Sequence, residues 1–487
     1  MTTIKELEPK LVWSIFEEIT RIPRCSKKED KIRQFLIDWA KKHNIEVKTD
    51  KAGNVLMKKP ATPGYENKVP VVLQSHMDMV CEKNSDTPHN FDTDPIKVKI
   101  EDGWVTAEGT TLGADDGIGM AAQMAILIDD SVAHGPIEAL FTVDEETGLT
   151  GAFELEEGFF EGKILLNLDS EDEGEIFIGC AGGIDTVARM NFHAQPAPAS
   201  HQALKVRISG LKGGHSGDDI NKNRGNAIKI LNRYLWNANK KYGIELHKFE
   251  GGNLRNAIPR EAYAIFTVPH KHKEEARAYF NRFIAEIENE IKIVEPDIKL
   301  ELESQETPEF VIDPQTKENL LNAIYGLPNG VIAMSKRMPG LVETSTNLAS
   351  VKFIDENTIE ITTSQRSEID SAKYDIAHSI ESVFTLANAH VEHNGGYPGW
   401  TPNPDSDILK VAENSYKKLF GKMPVVRSIH AGLECGLFLE KYPYLDMISF
   451  GPTLRDVHSP DERIEIETVQ KFYDLLKDII QNIPENK

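Results

Sequence analysis

Imidazole and carboxylate side chains recur in this sequence directly after short apolar runs. Three such groups are His76 and Asp78 after residues 69–75, Asp144, Glu145 and Glu146 after residues 137–143, and Asp169 after residues 163–168. Imidazole nitrogens and carboxylate oxygens, without a thiolate among them, suit zinc, cobalt or manganese. The residue types therefore indicate metal-dependent chemistry.

Two further candidates lie elsewhere in the chain. His458 follows the apolar run Met447–Phe450, and Asp115 lies where a loop enters a predicted helix, Asp116–Asp129. Taken alone, each candidate has an ordinary alternative: a surface ion pair, a solvated acidic loop or a helix cap. Ligands of open α/β sheets bind at the carboxyl ends of the strands. Because five segments deliver such residues to those positions, we predict one shared metal site at a sheet edge.

The elements that must position these residues alternate along the first part of the chain. Residues 4–43 predict two amphipathic helices joined near Pro23. The runs 69–75, 137–143 and 163–168 are apolar on both faces, as buried strands are. This alternation predicts an α/β domain with a mostly parallel sheet.

The pattern changes in the middle of the chain. Residues 203–305 predict strand, helix, two strands, helix and strand, and residues 315–394 predict a second unit of similar order. We expect two ferredoxin-like α+β modules side by side. The domain organisation predicted is residues 1–186 with 395–487 as the metal-binding domain, and residues 187–394 as an insertion.

Composition excludes several classes of function. The chain has 487 residues and a formal net charge of -22, which repels nucleic-acid phosphates and anionic lipid heads. No apolar run approaches the length of about 20 residues that a membrane span needs. We therefore expect neither a nucleic-acid partner nor a membrane location.

The cysteines indicate the compartment. The four cysteines, Cys25, Cys81, Cys180 and Cys435, are scattered and form no CxxC pair. Disulfide bonds and cysteine-zinc sites are therefore not expected, and a reducing cytoplasm fits.

Several motifs resemble the zinc-dependent M20 peptidases. They are His76-Met77-Asp78, Gly113-Ala114-Asp115-Asp116-Gly117, Asp144-Glu145-Glu146-Thr147-Gly148, Asn167-Leu168-Asp169, His458-Ser459-Pro460, Gly213-Gly214-His215-Ser216-Gly217 and Asn253-Leu254-Arg255-Asn256. The resemblance covers nearly the whole chain. The long insertion and the segment His430–Gly436 resemble the branch of the family that hydrolyses aminoacyl-histidine dipeptides.

The resemblance implies a dinuclear centre with two Zn²⁺ ions per chain, for which Co²⁺ or Mn²⁺ can substitute. Asp115 would bridge the ions, and the peptide bond between Asp115 and Asp116 would be cis. The remaining implied roles are His76 and Asp169 at one metal, Glu146 and His458 at the other, Asp78 as the residue that orients His76, and Glu145 as general base toward a water that bridges the metals.

The resemblance also implies how a substrate is held. His215 would donate a hydrogen bond to the oxyanion of the transition state. From the residue types we further predict that Arg366 binds the terminal carboxylate of the substrate, with a surface salt bridge as the alternative. Glu434 is a candidate partner of the free amine, with a solvated surface carboxylate as the alternative, and Asn256 is predicted to contact the substrate. The insertion would act as a lid and form a homodimer, in which His215 acts either in its own chain or across the interface.

The implied activity is the hydrolysis of unblocked dipeptides of the Xaa-His type, including β-alanyl-histidine. Three alternatives stay open at this point. An M20-type deacylase of N-acyl amino acids would use the same metals but need no partner for a free amine. An aminopeptidase of another di-zinc family would lack the long insertion, and a non-catalytic binding protein would have lost Glu145 or a ligand.

Overall fold

The computed structural model describes residues 3–486 and divides into two compact units. Of the described residues, unit 1 comprises 3–179, 402–428 and 433–486, and unit 2 comprises 180–401 and 429–432. The junctions lie at 179/180 and 401/402, several residues from the expected 186/187 and 394/395, and residues 429–432 return to unit 2.

The helices and strands are numbered in chain order, and short 3-10 turns add Ile4–Glu6 and His270–His272. The helices are α1 (Lys10–Ile19), α2 (Asp30–Lys42), α3 (Ala114–Ile128), α4 (Glu145–Gly148), α5 (Thr150–Glu154), α6 (Ala227–Tyr242), α7 (Lys273–Ile291), α8 (Pro314–Gly326), α9 (Asp370–Leu386), α10 (Asp407–Phe420), α11 (Glu434–Lys441) and α12 (Ile466–Gln481). The strands are β1 (Glu46–Thr49), β2 (Val55–Lys59), β3 (Val71–His76), β4 (Val98–Glu101), β5 (Trp104–Ala107), β6 (Ile137–Thr142), β7 (Ile164–Asn167), β8 (Glu175–Cys180), β9 (Gly182–Asn191), β10 (Ala194–Pro196), β11 (His201–Ser209), β12 (Glu245–Gly251), β13 (Ala262–Pro269), β14 (Lys299–Ser304), β15 (Phe310–Ile312), β16 (Gly330–Met334), β17 (Val342–Phe353), β18 (Thr358–Ser367), β19 (His390–Tyr397), β20 (Val425–Ile429), β21 (Asp446–Ser449), β22 (Leu454–Arg455) and β23 (Arg463–Glu465).

Unit 1 is built on an eight-stranded sheet in the order β1-β2-β6-β3-β7-β21-β8-β20. The four middle strands β6, β3, β7 and β21 are parallel. The pairs β1·β2, β2·β6 and β21·β8 are antiparallel, so the expected parallel arrangement holds for the middle of the sheet and fails toward its edges. Strands β3, β6 and β7 are buried along their whole length, which explains their continuous apolar runs.

Helix α3 packs against α1 and β3. It is rich in alanine, glycine and methionine, and nearly every residue in it is buried. Its small side chains allow close packing on the sheet and hold the start of the helix, with Asp115, near the end of β3.

Unit 2 contains an antiparallel nine-stranded sheet. Its order is β14-β11-β13-β12-β17-β18-β9-β19, with β16 paired to β17. Helices α6, α7, α8 and α9 bury apolar side chains in a core with this sheet. Strand β17 begins at Val342, and the polar residues of its first half are buried.

The structure corrects the expectation for the cysteines. Cys25 and Cys81 form a disulfide whose Cα atoms lie 5.7 Å apart. The tertiary fold brings these two residues together across 56 positions of sequence, which spacing alone does not reveal. Among residues 3–486, no helix combines the length and apolar character that crossing a membrane requires.

Candidate metal centre

The sheet of unit 1 brings several candidate ligands to one edge. His76 is the last residue of β3, Glu145 and Glu146 begin α4 just after β6, and Asp169 follows β7 by two residues. Because β3, β6 and β7 are parallel, their carboxyl ends meet at the same edge of the sheet. The alternation of strands and helices along the chain therefore places these side chains together.

His76 contacts three carboxylates. Its Nε2 lies 3.0 Å from Asp115 Oδ1 and 3.5 Å from Asp169 Oδ1. Its Nδ1 lies 3.2 Å from Asp78 Oδ1, and the ring is only 1% exposed. His76, Asp115 and Asp169 are thus arranged as ligands of one ion would be.

His458 contacts the other side of Asp115. Its Nε2 lies 3.0 Å from Asp115 Oδ2 and 3.0 Å from Glu146 Oε2. Asp115 therefore directs one carboxylate oxygen to each histidine. This position between two groups of ligands is the one that a bridging carboxylate occupies.

Asp78 fixes the surroundings of His76. Besides its contact with Nδ1, its carboxylate accepts hydrogen bonds from the backbone N–H groups of Glu145 at 3.1 Å and Glu146 at 3.3 Å. One buried side chain thus links the end of β3 to the first turn of α4.

The loop before Asp115 is held by a residue that sequence reasoning missed. The buried Glu462 carboxylate accepts backbone N–H hydrogen bonds from Leu112 at 2.8 Å, Gly113 at 3.0 Å and Ala114 at 2.8 Å. The peptide bond between Asp115 and Asp116 is cis, as the resemblance predicted. Gly113 has φ +68°, and a Cβ there would lie 2.6 Å from Arg24 Nη2, so this position requires glycine.

Arg24 is a second residue that sequence reasoning missed. Its buried guanidinium donates to the carbonyl oxygens of Met77 at 3.2 Å and Asp78 at 2.6 Å, and also to that of Gly113. It joins the loop after β3 to the loop before α3. Glu462 and Arg24 are far in sequence from the loops that they hold, so the sequence gives little indication of these contacts. The one weak signal was that Glu462 lies four residues after the candidate ligand His458.

The electrostatics of the centre are dominated by buried carboxylates. Burial raises the pKa of Asp169 to about 7 and the pKa of Glu171, a further acidic neighbour that sequence reasoning missed, to about 8. Burial also raises the pKa of Glu145 well above its usual value, and the charges of Asp169 and Glu146 add to this. Hydrogen bonds to Asp115 and Glu146 raise the pKa of His458 to about 11.

These residues fit a metal centre. Burial favours the protonated forms of Glu145, Asp169 and Glu171, whereas neighbouring carboxylates raise the pKa of both His76 and His458. Glu146 Oε1 is buried and has no hydrogen-bond partner within residues 3–486. Divalent cations would supply the missing positive charge and a partner for this oxygen, and imidazole and carboxylate groups are suitable ligands.

Glu434 lies near the same group of acids. It is 1% exposed, and its Oε2 accepts hydrogen bonds from Gln74 Nε2 at 2.6 Å and Thr142 Oγ1 at 2.8 Å. Its Oε1 is buried without a hydrogen-bond partner in the described chain. Burial raises the pKa of Glu434 to about 8, and its charge contributes to the raised pKa of Glu145. Glu434 is therefore a fixed buried carboxylate with one oxygen available.

The remaining candidates lie in unit 2. His215 follows β11, and its Nδ1 accepts backbone N–H hydrogen bonds from Gly217 and Asp218, each at 3.2 Å. Burial and then the charge of Arg366 lower the pKa of His215. A neutral ring whose Nδ1 is an acceptor carries its proton on Nε2, so His215 presents a hydrogen-bond donor. Asn256 is exposed, and its carbonyl oxygen accepts from the N–H of Ser216.

Arg366 is buried rather than placed on the surface. It is 7% exposed, its Nη1 donates to Tyr397 Oη at 3.0 Å, and its Nε has no hydrogen-bond partner among residues 3–486. His430, noted in the sequence only as part of a motif, is close enough for the charge of Arg366 to affect its pKa. Its Nε2 lies 2.7 Å from Ser345 Oγ. Burial, followed by the charges of Arg366 and His215, lowers the pKa of His430 to about 3. This group suits an anionic ligand.

Comparison with known proteins gives consistent matches. The profile of the Peptidase family M20/M25/M40 matches residues 72–482. The cytosol non-specific dipeptidase of Escherichia coli (strain K12) is 42% identical over 484 residues, which are 99% of this chain and 100% of that protein. The crystal structure of aminoacylhistidine dipeptidase from Vibrio alginolyticus is 44% identical, with a TM-score of 0.93 over 100% of this chain and 99% of that chain. That of aminopeptidase PepT from Bacillus cereus, 18% identical with a TM-score of 0.57 over 98% of this chain and 99% of that chain, shares the fold.

Proposed function

The chain belongs to the peptidase family M20/M25/M40, and from this premise we propose that it is a metallo-dipeptidase that hydrolyses short unblocked dipeptides. The observation that carries the proposal is the position of Asp115 between His76 and His458, with the Glu145 carboxylate in the same cluster. The full-length similarity to two dipeptidases supports the substrate class.

The residues that would hold the metals are those brought together at the sheet edge. We assign His76 and Asp169 to one ion, Glu146 and His458 to the other, and Asp115 to both. Two Zn²⁺ ions, or Co²⁺ or Mn²⁺ in their place, would acidify an attacking water and polarise the scissile carbonyl group.

Glu145 would move the proton. It is positioned by its backbone N–H, which donates to Asp78, and burial together with its acidic neighbours raises its pKa. A carboxylate whose pKa is raised accepts a proton from the attacking water more readily and then donates it to the leaving amine.

Charged and polar groups at both ends of the substrate would select dipeptides. Glu434 Oε1 would accept from the free amine, and the Arg366 guanidinium would pair with the terminal carboxylate. His215 would donate its Nε2–H to the oxyanion, and Asn256 would contact the substrate. An N-acyl amino acid lacks the amine, so the buried Glu434 carboxylate favours a dipeptidase over a deacylase.

Unit 2 would act as a lid, and a homodimer would form through contacts between the two copies of this unit. The strand orders β14-β11-β13-β12 and β17-β18-β9-β19 each match a βαββαβ chain path, which supports two ferredoxin-like modules. A lid that excludes water would also limit substrate length. His215 would then act within its own chain or across the dimer interface.

The names of the two relatives support a proposal for the substrate range and the cellular location. One relative is named a non-specific dipeptidase of the cytosol and the other an aminoacylhistidine dipeptidase. We propose a cytoplasmic enzyme that accepts Xaa-His dipeptides, including β-alanyl-histidine.

The test is a comparison of four substrates with enzyme dialysed against chelator and reloaded with zinc. A free dipeptide, an Xaa-His dipeptide, an N-acetyl amino acid and a tripeptide are supplied at equal concentration. We expect metal-dependent cleavage of the two dipeptides well above that of the others. Faster release from the N-acetyl amino acid would instead show a deacylase.

A further inference from the structure

Three side chains of unit 2 converge at the protein surface, outside the metal centre of unit 1. They are His378 and Glu381 on α9 and His393 on β19, and one ligand atom from each lies within 4.8 Å of the others. We propose that these residues form a separate binding site for a divalent transition-metal ion, with zinc as the expected ion.

Local structure places the three residues on one face. His378 and Glu381 are three residues apart on α9, a spacing that puts side chains next to each other on a helix. His393 lies on β19, the strand that follows α9, and the ring centroids of His378 and His393 are 6.0 Å apart. The site therefore joins a helix to the edge strand beside it.

A buried chain of polar groups determines the tautomer of His393. Gln365 Nε2 donates to Thr363 Oγ1 at 2.8 Å and Thr346 Oγ1 at 3.3 Å, so Gln365 Oε1 is the acceptor end of the amide. Thr186 Oγ1 donates its single proton to that oxygen at 2.7 Å.

Thr186 must then accept from His393. Its Oγ1 lies 3.0 Å from His393 Nδ1, and because its own proton is used, Nδ1 carries the hydrogen. A hydrogen bond from one ring nitrogen is the usual arrangement for a histidine whose other nitrogen binds a metal.

The other nitrogen of His393 faces a carboxylate. In the neutral ring, Nε2 holds a lone pair, and it lies 3.1 Å from Glu381 Oε2. Two acceptors at this distance repel each other unless a cation lies between them. A proton would satisfy the pair alone, but it gives no role to His378, whose ring nitrogen is the third ligand atom of the cluster.

The ligand set and its exposure suit zinc. Two imidazoles and one carboxylate, with water as the fourth ligand, form a common zinc geometry. The side chains of Glu381 and His393 are 45% and 25% exposed, so an ion and its water have access from solvent. In tetrahedral zinc with bonds of about 2.0–2.1 Å, ligand atoms lie roughly 3.4 Å apart. The three ligand atoms here already lie within 4.8 Å of one another, so side-chain movement would have to close the remaining gap.

A bound ion would fasten the edge of the sheet. Strand β19 ends the strand order and pairs with β9, with a bulge between Asn394 and Tyr397. The ion would tie this strand to α9. We therefore expect the ion to increase the stability of unit 2 and to leave the rate of dipeptide hydrolysis unchanged.

The experiment measures zinc bound per chain by equilibrium dialysis and elemental analysis. Wild type is compared with His393→Ala, His378→Ala and Glu381→Gln, and with the control His390→Ala. His390 lies on the same strand, and its Nε2 is 3.5 Å from Glu392 Oε1, a histidine–carboxylate pair that belongs to no three-ligand cluster among residues 3–486. The difference between variants is the result, so it does not depend on the number of ions in unit 1.

We expect each of the three site variants to bind one zinc ion fewer than wild type, and His390→Ala to bind the wild-type number. Zinc should also raise the Tm of wild type more than that of Glu381→Gln, a variant that retains the side-chain shape. Equal zinc content in wild type and in folded His378→Ala and Glu381→Gln would overturn the proposal. A rate of dipeptide hydrolysis that falls together with the lost ion would also overturn it.

Discussion

Two pairs of histidines in this protein have opposite electrostatic surroundings. In unit 1, hydrogen bonds to carboxylates raise the pKa of His458 to about 11, and the acidic neighbours of His76 outweigh its burial and raise its pKa as well. In unit 2, burial and the charge of Arg366 lower the pKa of His215, and burial, Arg366 and His215 lower that of His430 to about 3.

The contrast shows that surroundings, rather than residue type, decide what a histidine can do. Carboxylates around an imidazole stabilise positive charge beside the ring, and such surroundings suit a metal ligand. An imidazole beside a buried guanidinium stays neutral, which suits a hydrogen-bond donor to an anion. The surroundings of the histidines therefore favour positive charge in unit 1 and disfavour it in unit 2.

The largest effect is expected from Glu145→Gln in unit 1. The amide keeps the shape but accepts no proton, so kcat should fall about 10²–10⁴-fold while the metal content is retained. Glu146→Gln is the matched variant, since it removes a carboxylate that contacts His458 and should lower metal content. Near-normal turnover of Glu145→Gln with a full metal complement would refute its role.

The next effect tests the donor in unit 2. His215→Ala should lower kcat about 10²–10³-fold, as loss of one oxyanion donor does, with little change in metal content. The control is His270→Ala, which changes a histidine of the same unit outside this group. A loss of metal from His215→Ala would show that His215 is needed for metal binding, and it would contradict the assignment of His215 as a hydrogen-bond donor only.

Mixing inactive variants sharpens this test. If His215 acts across a dimer interface, a mixed dimer of Glu145→Gln and His215→Ala has one intact site. That site combines Glu145 from the His215→Ala subunit with His215 from the Glu145→Gln subunit, so partial activity should recover on subunit exchange. No recovery in demonstrated mixed dimers would place His215 in its own chain or outside catalysis.

A smaller effect is expected from the guanidinium. Arg366→Ala should raise KM for a free dipeptide roughly 10- to 100-fold, because a charge-assisted hydrogen bond is worth about 1.5–3 kcal/mol. Arg366→Lys should show an intermediate KM, since it keeps the charge without the bidentate geometry. Wild-type enzyme that cleaves a dipeptide amide as fast as the free dipeptide would contradict this assignment.

The smallest effect concerns the free amine. Glu434→Gln keeps the acceptor oxygen but cannot ionise to pair with an ammonium group, so the preference for a free dipeptide over its N-acetyl form should fall roughly tenfold. The kcat/KM ratio for the two substrates is the measurement, with Glu440→Gln on the same helix as control. An unchanged ratio would assign Glu434 a structural role.

Much of the centre could be predicted because it depends on local patterns. Continuous apolar runs reveal buried strands, and the first polar residues after parallel strands meet at one edge of the sheet. His76, Glu146 and Asp169 were predicted as candidate ligands in this way, and the structure places them close together. The motif resemblance added Asp115 as a bridge and the cis bond after it.

Other features depend on contacts that leave no pattern in the sequence. Arg24 and Glu462 hold the loops around Asp115 from positions far along the chain, and Cys25 meets Cys81 although their spacing indicates no bond. The first half of β17 carries polar residues that are buried, and no apolar run in the sequence marks it as a strand.

The sequence by itself thus determined which side chains could do chemistry and which strands carry them. Only the tertiary structure decided their charge and proton positions. The tautomer of His393, for example, follows from hydrogen bonds to Thr186 and Gln365, residues on two other segments of the chain. Burial and neighbouring charge set pKa values and hydrogen-bond directions, and both depend on the packing of segments that are distant in sequence.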